Sequence, residues 1–186
     1  SWTVHLLPWE LQNICIAMNK FLIEKPKGTL QEYQTWYSIN ILGLSSDQFW
    51  KACEIISTPL PLALTRDIGH SKDNFVTPKD AILKSIEKYL SKESKQELVD
   101  RISKQEKELT KAIRILENLQ NEVSLNQNEI KIWLIAGNNL LNRAKAGLAI
   151  INNNAKDKEE LIPQTIALKE IYKNYFADHL QPKRLK

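Results

Sequence analysis

The sequence predicts an all-α protein: a cluster of short N-terminal helices joined to long antiparallel helices with coiled-coil, or heptad, character. Apolar residues recur every three or four positions along most of the chain, and helix-starting motifs precede several of these stretches. Only five glycines occur among 186 residues. So few glycines disfavour a turn-rich β-sandwich and the glycine-rich loops of a parallel sheet.

The composition is that of an ordinary globular protein. Hydrophobic residues make up 42% and charged residues 26% of the chain, so a substantial core can form. The formal net charge of +4 is compatible with an acidic partner, but it is smaller than that of most dedicated nucleic-acid-binding domains. Five tryptophans indicate large, rigid anchors in a core or an interface.

Residues 1–58 are predicted to form a cluster of three short helices. Each helix has a start signal: a proline in the first turn, the capping box TLQE at 29–32, and a serine-led turn. The predicted spans run from Pro8 to about Glu24, from Leu30 to a left-handed terminator at Gly43, and from Ser45, paired with Gln48, to about Ser57.

Residues 59–76 are predicted to form a long loop between this cluster and the rest of the chain. Loops longer than about 15 residues are uncommon in compact domains and are usually functional or mobile. The stretch TRDIGHSKD gathers Arg66, His70 and Lys72 around a glycine, which is compatible with a partner-binding loop. A polar connector needs the same residue types, and we favour that simpler interpretation.

Residues 77–186 are predicted to form a long-helix bundle that ends in a short basic tail. Its central feature is a coiled-coil segment over 95–152, in which the a and d heptad positions stay in phase from Leu98 to Ile151. The first half of this stripe is narrow and flanked by charges, which is typical of a contact between two helices. The second half is apolar nearly all round, which indicates burial by several neighbours.

The sequence leaves open whether residues 95–152 form one helix or a hairpin. The unbroken heptad phase favours a single helix about 80 Å long. The polar stretch SLNQNE favours a turn near 124–128, where Asn126 and Glu129 have the spacing of another capping box.

Small residues occupy the stripe where bulky ones are expected, in the stretch GNNLLNRAKAG at 137–147. Gly137, Ala144 and Gly147 are predicted to let a neighbouring helix approach closely, which offsets the poor helix propensity of glycine. An alternative for Gly147 is that it marks fraying before the following loop.

No catalytic or metal-binding motif is present in the sequence. Motifs of the types HExxH, GxSxG, GxGxxG and GxxxxGK[ST] are missing, and no Glu-x-x-His pair of a helical di-iron protein occurs. Cys15 and Cys53 are predicted to be buried free thiols, with one disulfide as the alternative. We therefore predict a protein that is not an enzyme and holds no cofactor or metal.

The longest apolar run is far shorter than the roughly 20 residues of a membrane-spanning helix, so no transmembrane segment is predicted. A cytoplasmic location is expected. Because the chain begins without Met, a processed or excised piece of a longer protein is compatible with the sequence.

Two functional hypotheses follow. The leading one is a non-catalytic interaction or scaffold module that binds a protein partner or self-associates through the heptad stripe. Its candidate binding residues are Ile102, Leu109, Leu116, Arg66, His70 and Lys72. The alternative is a small basic helical subunit that contacts nucleic acid within a larger complex. Its candidate residues are Lys84, Lys88, Lys92, Lys183 and Arg184, although interleaved acidic residues weaken their field.

Overall fold

The computed structural model describes residues 9–58, 83, 86–154, 156, 159–164, 167 and 171, with side chains from residue 14 onwards. All regular secondary structure among these residues is helical, which confirms the predicted all-α fold. The five bounded α-helices are α1 (Trp9–Glu24), α2 (Leu30–Tyr37), α3 (Gln48–Ser57), α4 (Lys95–Leu119) and α5 (Gln127–Ile151). Further helical residues lie at 86–90 and 159–164.

Both ends of the second helix were predictable from local sequence. Thr29 Oγ1 accepts a hydrogen bond from Glu32 N (3.2 Å), and a Glu32 carboxylate oxygen accepts one from Thr29 N (2.7 Å), so the capping box is complete. The helix then widens into a π-helical turn, Ser38–Leu42, and ends at Gly43 with φ of 68°. A side chain at Gly43 would also collide with Ser124, so glycine is required there for space as well as conformation.

Two other predicted helix starts need correction. The third helix begins at Gln48, after an N-cap at Asp47, and Gln48 N donates to Ser46 Oγ (3.2 Å) instead of using Ser45. Asn126 does precede α5, but its side chain caps no backbone N–H. It donates instead to the carboxylate of Glu129 (3.4 Å), because that carboxylate is turned into the core.

The two long helices form an antiparallel hairpin. The chain leaves α4 at Leu119 and enters α5 at Gln127, and the two helices pack extensively against each other. A Cβ on Gly137 would lie 3.2 Å from Ile113 Cγ1, and Glu106 lines the same cavity as Lys145. From the first pair to the second, the position on α4 decreases from 113 to 106 while the position on α5 increases from 137 to 145, as expected for antiparallel helices. The structure therefore has the hairpin and not the continuous helix.

The turn of the hairpin is fastened to the N-terminal helices. Leu125 N donates to the carbonyl oxygen of Leu42 (3.2 Å), and Ser124 Oγ donates to that of Gly43 (3.3 Å). Val123, only 2% exposed, fills the end of the core from within the turn. Val123 also occupies a heptad position, so the heptad spacing of apolar residues continues from α4 through the turn into α5.

One continuous core joins the short helices to the hairpin. The third helix packs on both α4 and α5, and the first helix packs on α2 and α5. An aromatic cluster fills the space among the N-terminal helices and reaches the hairpin at Trp133; its members are Phe21, Tyr33, Trp36, Tyr37, Phe49, Trp50 and Trp133. Edge-on contacts such as Phe49 against Trp133, with ring centroids 6.2 Å apart, are typical of stabilising aromatic pairs.

The predicted close approach at Gly137 is present. A Cβ there would lie 3.1 Å from Ile56 Cδ1 on α3 and 3.2 Å from Ile113 Cγ1 on α4. Two helices therefore converge on this glycine. Most of the circumference of α5 is buried, as its apolar sequence predicted.

Candidate functional site

The heptad stripe proposed to bind a partner lies inside the core. Ile102, Leu109 and Leu116 are 0%, 1% and 0% exposed. The expectation of an exposed stripe on α4 is therefore wrong, because the hairpin folds the a and d positions against α5 while α3 covers them from the other side. The heptad pattern was interpreted as intermolecular, whereas the chain satisfies it internally.

Most of the other predicted binding residues lie outside the described residues. This applies to the loop residues Arg66, His70 and Lys72, and to the basic residues Lys84, Lys183 and Arg184. Lys88 and Lys92 are described and exposed. Glu87 is also exposed and is next to Lys88 in the chain, so the surface around these two lysines carries charges of both signs.

The two cysteines lie in different environments, and both are free thiols. Cys53 is buried, as predicted, and that burial raises the pKa of its thiol, with the nearby Glu129 adding to the effect. Cys15 is exposed, so the prediction of a second buried thiol was wrong.

A buried polar group that the sequence did not predict links α2 to α5. The hydroxyl of Tyr37, 0% exposed, donates to a carboxylate oxygen of Glu129, which is 1% exposed. Burial raises the pKa of Tyr37 well above its usual value, and the charge and hydrogen bond of Glu129 raise it further. Tyr33, one helical turn earlier, donates to the carbonyl oxygen of Ile14, and burial raises the pKa of Tyr33 too. The only sequence signal was the pairing of two tyrosines four residues apart on an otherwise apolar face.

This polar group has the character of a structural link rather than of a reactive site. The rings of Tyr33 and Trp50 pack against Tyr37, and Trp133 Nε1 is buried without a hydrogen-bond partner in the part of the chain that the structure describes. Within the described residues, no three or more His, Cys, Asp and Glu side chains are grouped to hold a metal ion.

An open cavity of about 380 Å³ lies where the middle of α4 meets the end of α5. Its lining includes Glu106 and Lys145 on facing helices, and Leu148 and Leu161 on its apolar side. The cavity is wide open to solvent and combines charges of both signs, which gives it no evident preference for one class of ligand.

The most distinctive surface is the side of the first helix that faces away from the core. Ile16 is 52% exposed and Ile23 is 81% exposed, whereas Phe21 on the opposite side is 1% exposed. Residues seven apart lie on nearly the same side of a helix, so the two isoleucines form one stripe, with Asn19 and Lys20 between them. We call these four residues the outer face of α1. A signal for this face is present in the sequence, because apolar residues occur on both sides of this helix.

No helix among the described residues is long and apolar enough to cross a membrane. Comparison of the chain with protein-family models, with curated proteins and with solved structures found no match.

Proposed function

We propose that this chain is a non-catalytic helical interaction module that binds a protein partner through the outer face of α1. The observation that carries the proposal is the double-sided apolar character of this helix. One side is anchored in the aromatic core through Phe21, while Ile16 and Ile23 present a second apolar stripe to solvent. Exposed apolar side chains at helical spacing are a common basis of recognition between proteins.

The outer face is a better candidate than the stripe on α4. A partner could reach Leu109 or Leu116 only if the hairpin opened, which would expose the core that joins it to the N-terminal helices. Binding at Ile16 and Ile23 requires no such opening. The buried side of α1 then fixes the helix as a rigid support, which lowers the entropy lost on binding.

The proposal is tested by comparing three tagged forms of the chain as baits in an extract of the native source. They are the wild type, the double variant Ile16→Asp/Ile23→Asp, and the matched control Ile39→Asp, which charges another half-exposed isoleucine, 54% exposed, outside α1. A protein that is enriched by the wild type and the control but lost with the double variant supports the proposal. Circular dichroism and thermal melting establish that all three baits are folded. Identical captures by all three baits, or no enriched protein, would overturn it.

A further inference from the structure

We propose that the partner segment seated on the outer face of α1 is a single amphipathic helix with an apolar seam and acidic flanks. This inference rests on the proposed function, since it names the chemistry of the partner for the same surface. It follows from the spacing of the exposed residues, from the charges beside them, and from the poor fit of a second copy of α1.

The spacing of the stripe matches a helix. Ile16 and Ile23 are separated by seven residues, or about 10.5 Å of helix rise, which equals one heptad of a partner helix. In an extended strand, side chains on one face recur about every 6.7 Å, so they would fall out of step with the two isoleucines. Asn19 takes the d position of the same heptad, where a polar residue sets the register of a helix pair at some expense of stability.

The charges beside the stripe are mainly positive. Lys20 follows Ile16 by four residues and precedes Ile23 by three, so it flanks both isoleucines. Lys27 follows the end of the helix, and Glu24 is the acidic side chain between Lys20 and Lys27. Lys25 belongs to the other side, because its Nζ lies 5.9 Å from the ring centroid of Phe21, which faces the core. All four are exposed, and none takes part in the ion pairs found among the described residues. The next acidic residue, Glu32, is already held by the capping box with Thr29.

Lys20 and Lys27 favour a partner helix with Glu or Asp at its flanking positions. Complementary charges at the edges of a helix pair fix its partner and orientation more than they add affinity. Pairing of two copies of α1 is disfavoured by the same charges. An antiparallel pair that set Ile16 opposite the Ile23 of the other copy would bring the two Lys20 side chains together at the symmetry axis.

Two synthetic 21-residue peptides serve as probes. They share one seam of Leu and Ile over three heptads, and they differ only at the flanking positions, which are all Glu in one peptide and all Lys in the other. Each labelled peptide is titrated with the full chain while fluorescence anisotropy is followed. At low ionic strength we expect the acidic peptide to bind about tenfold more tightly, and the difference to shrink at high salt as the charges are screened.

Variants separate the contribution of the seam from that of the flanks. Ile16→Asp/Ile23→Asp should abolish binding of both peptides. Lys20→Glu should weaken binding of the acidic peptide severalfold, whereas the matched control Lys107→Glu, at an exposed position on α4, should leave it unchanged. Equal affinities for the two peptides, failure of both to bind, or an unchanged preference in Lys20→Glu would overturn this inference.

Light scattering tests whether a second copy of this chain occupies the outer face of α1. A dimer of the wild type that becomes a monomer in Ile16→Asp/Ile23→Asp would show that a second copy occupies the face, and would also overturn the inference. The proposed function fails separately, since it depends on whether the native-source capture requires Ile16 and Ile23. A protein captured through this face, together with equal binding of the two peptides, would leave the proposed function standing and remove only the acidic helix.

Discussion

At the scale of single residues, the hydrogen bond from Tyr37 to Glu129 is the internal polar contact with the clearest consequence. Tyr37→Phe removes the hydroxyl and leaves a buried carboxylate oxygen with one donor fewer, so we expect the free energy of unfolding to fall by about 2 kcal/mol. Urea unfolding measures the change. The matched control is Tyr89→Phe, whose hydroxyl makes no hydrogen bond among the described residues and which should stay within about 0.5 kcal/mol of the wild type. Equal losses in the two variants would contradict a specific role for the buried pair.

The raised pKa of Tyr37 predicts that the protein loses stability at alkaline pH. Folding raises the pKa of Tyr37 above its ordinary value of 10.0, chiefly by burial and then through Glu129, so the folded protein keeps a proton that the unfolded chain releases. The stability linked to this proton is present in full below pH 10 and is lost as the pH rises above it. The buried Cys53 thiol adds the same trend from about its ordinary value of 9.0. Urea unfolding between pH 8 and 11 should show declining stability, with a shallower decline in Tyr37→Phe. A flat profile, or equal slopes in the two proteins, would contradict the prediction.

Gly137 is the residue at which packing space can be tested most directly. Since Ile56 and Ile113 lie 3.1 and 3.2 Å from the position of a Cβ, a leucine would overfill the site, and we expect Gly137→Leu to lose about 3 kcal/mol of unfolding free energy. Gly137→Ala is the informative comparison. Its methyl group would lie against Ile56 Cδ1 and Ile113 Cγ1, and the gain in helix propensity of about 1 kcal/mol offsets that tight contact. Urea unfolding of both variants measures the difference, and a leucine variant as stable as the alanine variant would show that this site is not close-packed.

At the scale of elements, the antiparallel pairing of α4 and α5 can be measured as a distance. Spin labels at positions 106 and 145, which line one cavity, should lie within about 25 Å of each other, since packed helix axes are about 8–10 Å apart and the label arms add the rest. A continuous helix would separate the two positions by about 58 Å. Pulsed electron-spin resonance distinguishes these distances, and a main population beyond 40 Å would contradict the hairpin. The substituted cysteines require Cys15, which is exposed, to be replaced first.

The element scale also shows what the sequence could predict and what it could not. The capping box at Thr29 and the left-handed Gly43 were predictable because their interactions lie within a few residues. The sequence did not decide between a turn near 124–128 and one continuous helix. Val123 keeps the heptad phase through the turn, and the contact that fastens it, from Leu125 to Leu42, spans more than 80 residues of chain. The exposure of the stripe on α4 was mispredicted for the same reason, because a heptad pattern carries no information on whether its partner belongs to the same chain.

The outer face of α1 was missed for a related reason. Apolar residues occur on two opposite sides of this helix, and sequence periodicity alone does not say which side enters the core. The choice is made by tertiary contacts, since Phe21 packs against the rings of Tyr33 and Trp36, with centroids 5.5 and 5.8 Å away. The opposite side is then left with Ile16 and Ile23, although these residues are as apolar as those that are buried.

At the scale of the whole molecule, the structure places the heptad stripe of α4 in the core and the outer face of α1 on the surface. Introducing one charge into each tests this placement. Leu109→Asp places a carboxylate at a core position that is 1% exposed, and we expect a loss of more than 4 kcal/mol, enough to unfold much of the protein. Ile23→Asp places the same group at a position that is 81% exposed, where the free energy of unfolding should change by no more than about 0.5 kcal/mol. Thermal melting followed by circular dichroism measures both variants. If Leu109→Asp melted like the wild type, α4 would not be packed within its own chain, and its stripe would again be available to a partner.

If Ile23→Asp unfolded the protein, the outer face of α1 would be an internal surface, and a loss of partner binding in that variant would carry no information about recognition. Only when the first variant unfolds and the second remains intact does a loss of binding on substitution at Ile23 identify a surface by which this chain meets another protein.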